Sequence, residues 1–300
     1  MVRVQVPATT ANLGPGFDCL GMALQLYNSV EMSPTASGLH IDVNGEGSSE
    51  IPRDESNMAY QAALKVFKQA GKKPPGIRLK LNNNIPVARG LGSSTAAIVG
   101  GMIAANILSG NTLAQKDIIN LAYNMEGHPD NIAAAVMGGI VVSVPAEGEV
   151  RCHKIPPPKN LKAILTVPDF MLSTRTSREV LPQQIPIGDA IFNIGRVALL
   201  VASLYTGDIN QFGLAMEDRL HQPYRTQLVP GMKKVFAAAK LAGAKGISLS
   251  GAGPAIIAYT DENPELIARV MKDTFRQNGI SAKSMVLGIS PVGARALETK

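Results

Sequence analysis

Residues 77–108 run strand, glycine-rich loop and helix without a spacer, and this succession constrains the chain more than any other part of it. Residues 77–81 have the short apolar pattern of a strand. Pro86-Val87-Ala88-Arg89-Gly90-Leu91-Gly92-Ser93-Ser94-Thr95 follows and leads straight into an Ala/Ile-rich helix from about Thr95 to Leu108. Glycines let a backbone turn its N–H groups around an anion, and a helix N-terminus adds about half a positive charge. The serine hydroxyls add donors or a metal ligand. The usual templates do not match, because GxGxxG needs glycine where Thr95 stands and Gly-Lys-Ser/Thr occurs nowhere. On its own the segment is either a phosphate cradle or a glycine turn with Ser93 or Ser94 capping a helix.

Elsewhere strands and helices alternate. Residues 2–6 read as a strand ended by Pro7, with a polar glycine-rich loop to Asp18. Residues 27–31 and 39–43 read as strands. A helix over residues 57–70 is capped by Asn57 and stopped by Gly71. Residues 113–125 form a further helix, His128-Pro129-Asp130-Asn131 starts another, and residues 140–144 are a strand. Residues 145–160, with four prolines and several charges, suggest a domain boundary. Beyond them come a strand at 161–167, helices at 189–205, 208–220 and 232–241, a strand at 255–259, a helix at 264–277 and a strand at 284–289. The second half therefore predicts a small sheet covered by helices on one face.

Composition narrows the function classes. Two cysteines, Cys19 and Cys152, build no disulfide framework and fit a reducing, cytoplasmic setting. Four histidines without HExxH spacing give no zinc pattern. The first residues lack the apolar core of a signal peptide. The apolar stretches 96–108 and 132–144 are shorter than the roughly 20 residues of a membrane span, so no membrane role is expected. The net charge of +6 is scattered and tryptophan is absent, which disfavours nucleic acid and suits a small anionic ligand. Cys19 and His221 read as packing residues. Ser250-Gly251-Ala252-Gly253-Pro254 reads either as a donor loop or as a hairpin, and Glu126-Gly127-His128-Pro129-Asp130-Asn131 as either a polar site or a capping cluster.

Taken together these segments resemble a known family. Pro86 to Ser94 resembles the phosphate loop of the GHMP kinases. Pro7-Ala8-Thr9-Thr10-Ala11-Asn12-Leu13-Gly14-Pro15-Gly16-Phe17-Asp18-Cys19-Leu20-Gly21 and Glu126 to Asn131 resemble motifs of the homoserine kinases within it, and Ser250 to Pro254 resembles the third superfamily motif. The resemblance spans essentially the whole chain. It implies an α/β (α+β) two-domain fold: a ribosomal-protein-like α/β domain over residues 1–155 and a ferredoxin-like α/β domain over 156–300, with substrates in the cleft between them. It implies ATP, Mg²⁺ and L-homoserine as ligands, phosphorylation of L-homoserine to O-phospho-L-homoserine in threonine biosynthesis, and a homodimer.

By motif position, Pro86 through Thr95 and Ala96 would hold ATP, and Ser94 would hold Mg²⁺ with Glu126. Asn12, Asp18, His128, Asn131, Arg178 and Arg225 would hold homoserine, with Asn131 near the reacting hydroxyl and Ser94 beside the transferred phosphate. Two arginines suit a carboxylate because their planar forks bind it bidentately. Asn131 stands where other superfamily members have an aspartate base. An amide cannot take a proton, so positioning and charge stabilisation would carry the reaction.

Overall fold

The structure is a computed structural model and describes residues 1–299. Its first sheet is laid down by β1 (Val2–Ala11), β2 (Leu20–Thr35), β3 (Gly38–Gly45) and, after the helix α1 (Met58–Gln69), β4 (Gly76–Asn83). Helices α2 (Ser93–Leu108), α3 (Gln115–Glu126) and α4 (Asp130–Met137) follow, then the hairpin β5 (Ile140–Ala146) and β6 (Glu149–Ile155). α1 begins where expected: the Asn57 side chain accepts from the N–H groups of Ala59 and Tyr60. Its buried face is Ala59, Ala62, Ala63, Val66 and Phe67, at helical spacing.

Two expectations for this half need correction. β1 does not end at Pro7. It continues to Ala11, and the register against β2 shifts between Pro7 and Ala8. Proline lacks an N–H, and a ladder irregularity is where a strand tolerates that. The polar segment is accordingly the short turn of a long β1–β2 hairpin, with Asn12, Leu13, Gly14 and Asp18 in left-handed conformations. Residues 149–155, read as part of a boundary, are a strand in register with β5 through a turn at Glu147 and Gly148, both at positive φ. The strand's charges alternate with its buried positions, as half-exposed strands allow.

The second sheet has the order β10-β7-β9-β8, all antiparallel. It is built from β7 (Lys162–Pro168), β8 (Gly246–Leu249), β9 (Ile256–Thr260) and β10 (Ala282–Gly288). Between β7 and β8 lie α5 (Thr174–Glu179), α6 (Ile187–Thr206), α7 (Phe212–Ala215), α8 (Gln222–Arg225) and α9 (Met232–Leu241), and between β9 and β10 lies α10 (Pro264–Gln277). Ile164, Ile256 and Ala258 face α9 and α10, through Val235, Met271 and Phe275 among others. Ala163, Leu165, Ile257 and Tyr259 point the other way and join the core of the first sheet. Both faces of β7 are therefore buried, which explains why apolar residues fill the successive positions Ala163, Ile164 and Leu165.

Residues 208–220 do not form the single helix expected. A turn of 3₁₀ helix and α7 are followed by an irregular segment, because the Asp218 carboxylate accepts the N–H groups of Leu220, His221 and Gln222 and the Asn193 amide. A short acidic side chain that captures backbone donors competes with the helical ladder. α6 corrects the survey of apolar stretches: it is 20 residues long with mean hydropathy 1.6, long and apolar enough to cross a membrane by those criteria alone. Here it packs on the protein through Leu200 and Leu204, and Arg196–Glu217 and Arg219–Asp189 ion pairs fasten it. The chain finally returns to the first sheet: β11 (Arg295–Thr299) pairs antiparallel with β1. The order of that sheet is β11-β1-β2-β4-β3, with β5 pairing both β2 and β6.

Candidate active site

A cleft of about 420 Å³ is lined from both halves of the chain. One wall is the start of α2. Gly92 occupies the N-cap position at φ +68 and no side chain caps the helix. The Ser93 hydroxyl instead donates to the Ile85 carbonyl at 3.4 Å. The capping-serine alternative is thereby excluded, and the first-turn N–H groups, which have no intrahelical acceptor, are left toward the cleft. Ser94 and Thr95 stand beside Glu126, whose carboxylate accepts from the Thr95 hydroxyl at 2.7 Å. Burial pushes the Glu126 acid up, against the pull of the Thr95 and Ser94 hydroxyls.

Of the two alternatives for the segment 250–254, the hairpin is the one observed. It is the hairpin loop between β8 and β9, and it braces the glycine loop. Ser250 donates its hydroxyl to the Gly90 carbonyl at 2.7 Å, and Ala255 N–H donates to Arg89. A Cβ on Gly90 would overlap the Ser250 carbonyl, so glycine is required there by this packing. Gly251 O in turn accepts from the Asn12 amide at 3.0 Å and from Arg225 at 3.1 Å.

Asn131, the second residue of α4, also lines the cleft. Its Oδ1 accepts from the Thr9 hydroxyl at 2.7 Å, and its Nδ2 donates to Asp130 Oδ1 at 3.3 Å. The carboxylate can only accept from the amide, so this network sets which end of the amide faces which neighbour. Asp130 is buried, and burial reinforced by the nearby Asp18 charge raises its carboxyl to about 7. His128 Nδ1 lies 4.0 Å from Asp130 Oδ1, buried and without a hydrogen-bond partner among the described residues.

The far end is charged. Arg178, on α5, grips Asp18 with both Nη groups at 3.0 and 2.6 Å. Asp18 N–H donates to Asn12 Oδ1 at 3.1 Å. Arg225 is 1% exposed. Its Nε donates to Ser177 O, and its Nη1 faces Gly251 O and His221 Nδ1, all at 3.1 Å. Of its five donors this leaves those on Nη2 for the cleft. Burial, with Arg178 nearby, lowers the Arg225 pKa to about 10, so the group stays charged at neutral pH. The Phe17 ring lies 5.3 Å from both guanidinium carbons.

The opposite end is apolar: Ile51, Pro52, Met58, Leu81 and Val87 line it. Asn12, Asp18, Val87 through Thr95, Glu126, His128, Asn131, Arg178 and Arg225 all border this one cleft. Pro86 and Ala96 do not. Ala96 is buried in the core, and its N–H closes the first helical turn on Gly92 O. The sequence reading missed Thr9, Phe17, Asp130 and the apolar end. Thr9, Phe17 and Asp130 lie inside recognised motifs and could have been drawn from them. Ile51, Pro52 and Met58 carry no local signal.

Comparison with known proteins agrees along the chain. The model of the GHMP kinases N terminal domain matches residues 57–139, and that of the GHMP kinases C terminal region matches residues 200–277. A homoserine kinase of Moorella thermoacetica is 47% identical over 280 residues, covering 93% of this chain and 94% of that protein. One from Desulfitobacterium hafniense is 43% identical and covers 99% of this chain and 100% of its own length. The crystal structure of homoserine kinase from Cytophaga hutchinsonii has a TM-score of 0.89 at 32% identity, covering 99% of this chain and 97% of that one. Mevalonate kinase from L. major, at 16% identity and a TM-score of 0.71 over 96% of each chain, shares the fold.

Proposed function

Because the chain belongs to the GHMP kinases, and within them to the homoserine kinase family, we propose that its cleft transfers the γ-phosphate of ATP to the side-chain hydroxyl of L-homoserine in the following way. One observation carries the reading: Asp18, Asp130, Arg178 and Arg225 converge at one end of a cleft whose wall is the uncapped start of α2. Two acids and two arginines match a zwitterion. Mevalonate, which has no ammonium, or an uncharged sugar would leave some of these groups desolvated and unmatched. Without substrate, Asp18 and Arg178 neutralise each other. Bound homoserine turns Asp18, with Asp130, to its ammonium and Arg178, with Arg225, to its carboxylate. Asn12 holds the Asp18 loop against Gly251, and His128 flanks Asp130.

The phosphates lie on the N–H groups of Gly90 through Thr95, and the adenosine lies toward Ile51, Met58 and Val87. Ser94 and Glu126 fit Mg²⁺: they are hard oxygen ligands, and a carboxylate raised by burial gains from a cation beside it. The ion would neutralise charge on the transferred phosphate. Asn131, its Oδ1 held by Thr9, orients the hydroxyl with its amide N–H. The division at residue 156 belongs to the same reading and is supported by the change of sheet between β6 and β7, although β11, from the second part, crosses back to pair with β1 in the first sheet. So do a cytoplasmic location and a homodimer, the latter supported by the exposed stripe Ile187, Ile191, Ile194 and Tyr205 on α6.

The test is ADP release with Mg²⁺ and ATP across L-homoserine, mevalonate and galactose. Release is expected with homoserine alone, and equal turnover with either other acceptor overturns the reading. Ser94→Ala and Glu126→Gln should each raise the Mg²⁺ concentration for half-maximal rate by about 10–100-fold. An unchanged Mg²⁺ titration removes them from the metal site. Asn131→Asp places a second carboxylate against Asp130, which already resists ionisation, and against the phosphate. We expect kcat to fall at least about tenfold, and a rise in kcat would refute the positioning role.

A further inference from the structure

His221, read from the sequence as ordinary packing, is among the described residues the one side chain that accepts from Arg225, beside the Ser177 and Gly251 carbonyls. It is fully buried. Its Nδ1 lies 3.1 Å from Arg225 Nη1, and its Nε2 lies 2.7 Å from the Gly14 carbonyl. A guanidinium only donates and a carbonyl only accepts, so one tautomer satisfies both: Nδ1 bare, Nε2 protonated. Burial, joined by the Arg225 charge, pushes the His221 pKa down and keeps the ring neutral, although Asp218 stands 3.5 Å from Nε2. That carboxylate is already engaged by backbone N–H groups and Asn193. Phe17 stacks on the imidazole at 5.1 Å and 26°, and its ring lies 5.3 Å from the guanidinium carbons of Arg178 and Arg225.

Gly14 belongs to the turn that carries Asn12 and Asp18, whereas Arg225 closes α8. We propose that His221 is a positioning residue for homoserine binding, one that fixes the Arg225 fork against the Asn12–Asp18 turn by accepting from Nη1 and donating to Gly14. The inference rests on the reading that Arg225 holds the substrate carboxylate. It adds that the distance between the carboxylate-binding and ammonium-binding groups is set through this one imidazole, so that the two ends of the zwitterion are engaged together.

The test compares KM for L-homoserine and for ATP in His221→Phe, His221→Asn, His221→Gln, Arg225→Leu and the His221→Phe/Arg225→Leu double variant. Asparagine keeps an acceptor near the place of Nδ1, glutamine keeps a donor near the place of Nε2, and phenylalanine keeps only the stack. We expect His221→Phe to raise KM for homoserine about tenfold or more with KM for ATP nearly unchanged, and His221→Asn and His221→Gln, which each keep one end of the bridge, to raise it by less. The double variant should be no worse than Arg225→Leu, because an arginine that is gone cannot be misplaced. If Arg225→Leu leaves KM for homoserine unchanged, the substrate reading has failed. If Arg225→Leu raises it but His221→Phe does not, or the two losses multiply, the reading stands and the proposal is overturned. Should the phenylalanine variant not fold, wild-type KM values for homoserine in both His221→Asn and His221→Gln overturn it.

Discussion

Gly92→Val is expected to lower kcat/KM by at least about 10²-fold, with losses in both ATP affinity and turnover. Gly92 sits at φ +68, where a β-branched residue is strained by about 1–3 kcal/mol. A Cβ there would overlap the Thr9 hydroxyl and press on Asn131 Oδ1 at 3.3 Å. The demand for glycine thus comes from the protein side of the loop as well as from the approach of phosphate. Relieving the clash shifts Thr9, which frees the amide that orients the substrate hydroxyl, and shifts the N-cap that aims the α2 donors. The melting temperature should fall by a few degrees. Thr9→Val separates the two effects: kcat falls while calorimetric ATP affinity holds. If Gly92→Val retains wild-type kcat, the Thr9–Asn131 contact does not position the acceptor.

Arg178→Leu and Arg225→Leu should each lower kcat/KM for L-homoserine by about 10–150-fold, the equivalent of one charge-assisted bond of about 1.5–3 kcal/mol. ATP affinity should barely change. The two variants should differ in stability. Arg178 and Asp18 are both about a third exposed, so losing Arg178 returns Asp18 to water at little cost. Arg225 is buried, and its loss takes the donor from the Ser177 carbonyl and from His221 Nδ1 and leaves Gly251 O to Asn12, so that variant alone should melt clearly lower. Arg225→Lys restores charge but not the fork, and should recover only part of the activity. A homoserine analogue without its carboxylate supplies the control. If Arg225→Leu loses as much on the analogue as on homoserine, the residue supports the fold and not the substrate.

Much of the site was legible in the chain because its key signals are local. A glycine at a helix start, a capping asparagine before Ala59 and Tyr60, and a polar cluster after a helix each act within a few residues. The segments that misled did so for long-range reasons. Pro7 reads as a strand end, but β1 passes through it because β2 supplies pairing on both sides of the register shift. Residues 149–155 read as a linker until β5 provides a partner. Residues 208–220 have helical composition, yet Asp218 takes the donors a helix would have used.

The amino-acid sequence by itself determined where the backbone must turn tightly, where helices start, and which charged side chains are available to a ligand. These follow from φ/ψ preferences and from backbone groups satisfied by near neighbours. Only the tertiary structure decided who meets whom. Arg178 finds Asp18 across 160 residues, and His221 finds Gly14 across 207. The same arginine chemistry yields a partly exposed ion pair at Arg178 and, at Arg225, a buried guanidinium held through Nε and Nη1. The difference lies in burial and in acceptors brought in from distant loops, and a buried donor takes whichever acceptor the packing supplies because leaving it unpaired costs more than any local preference.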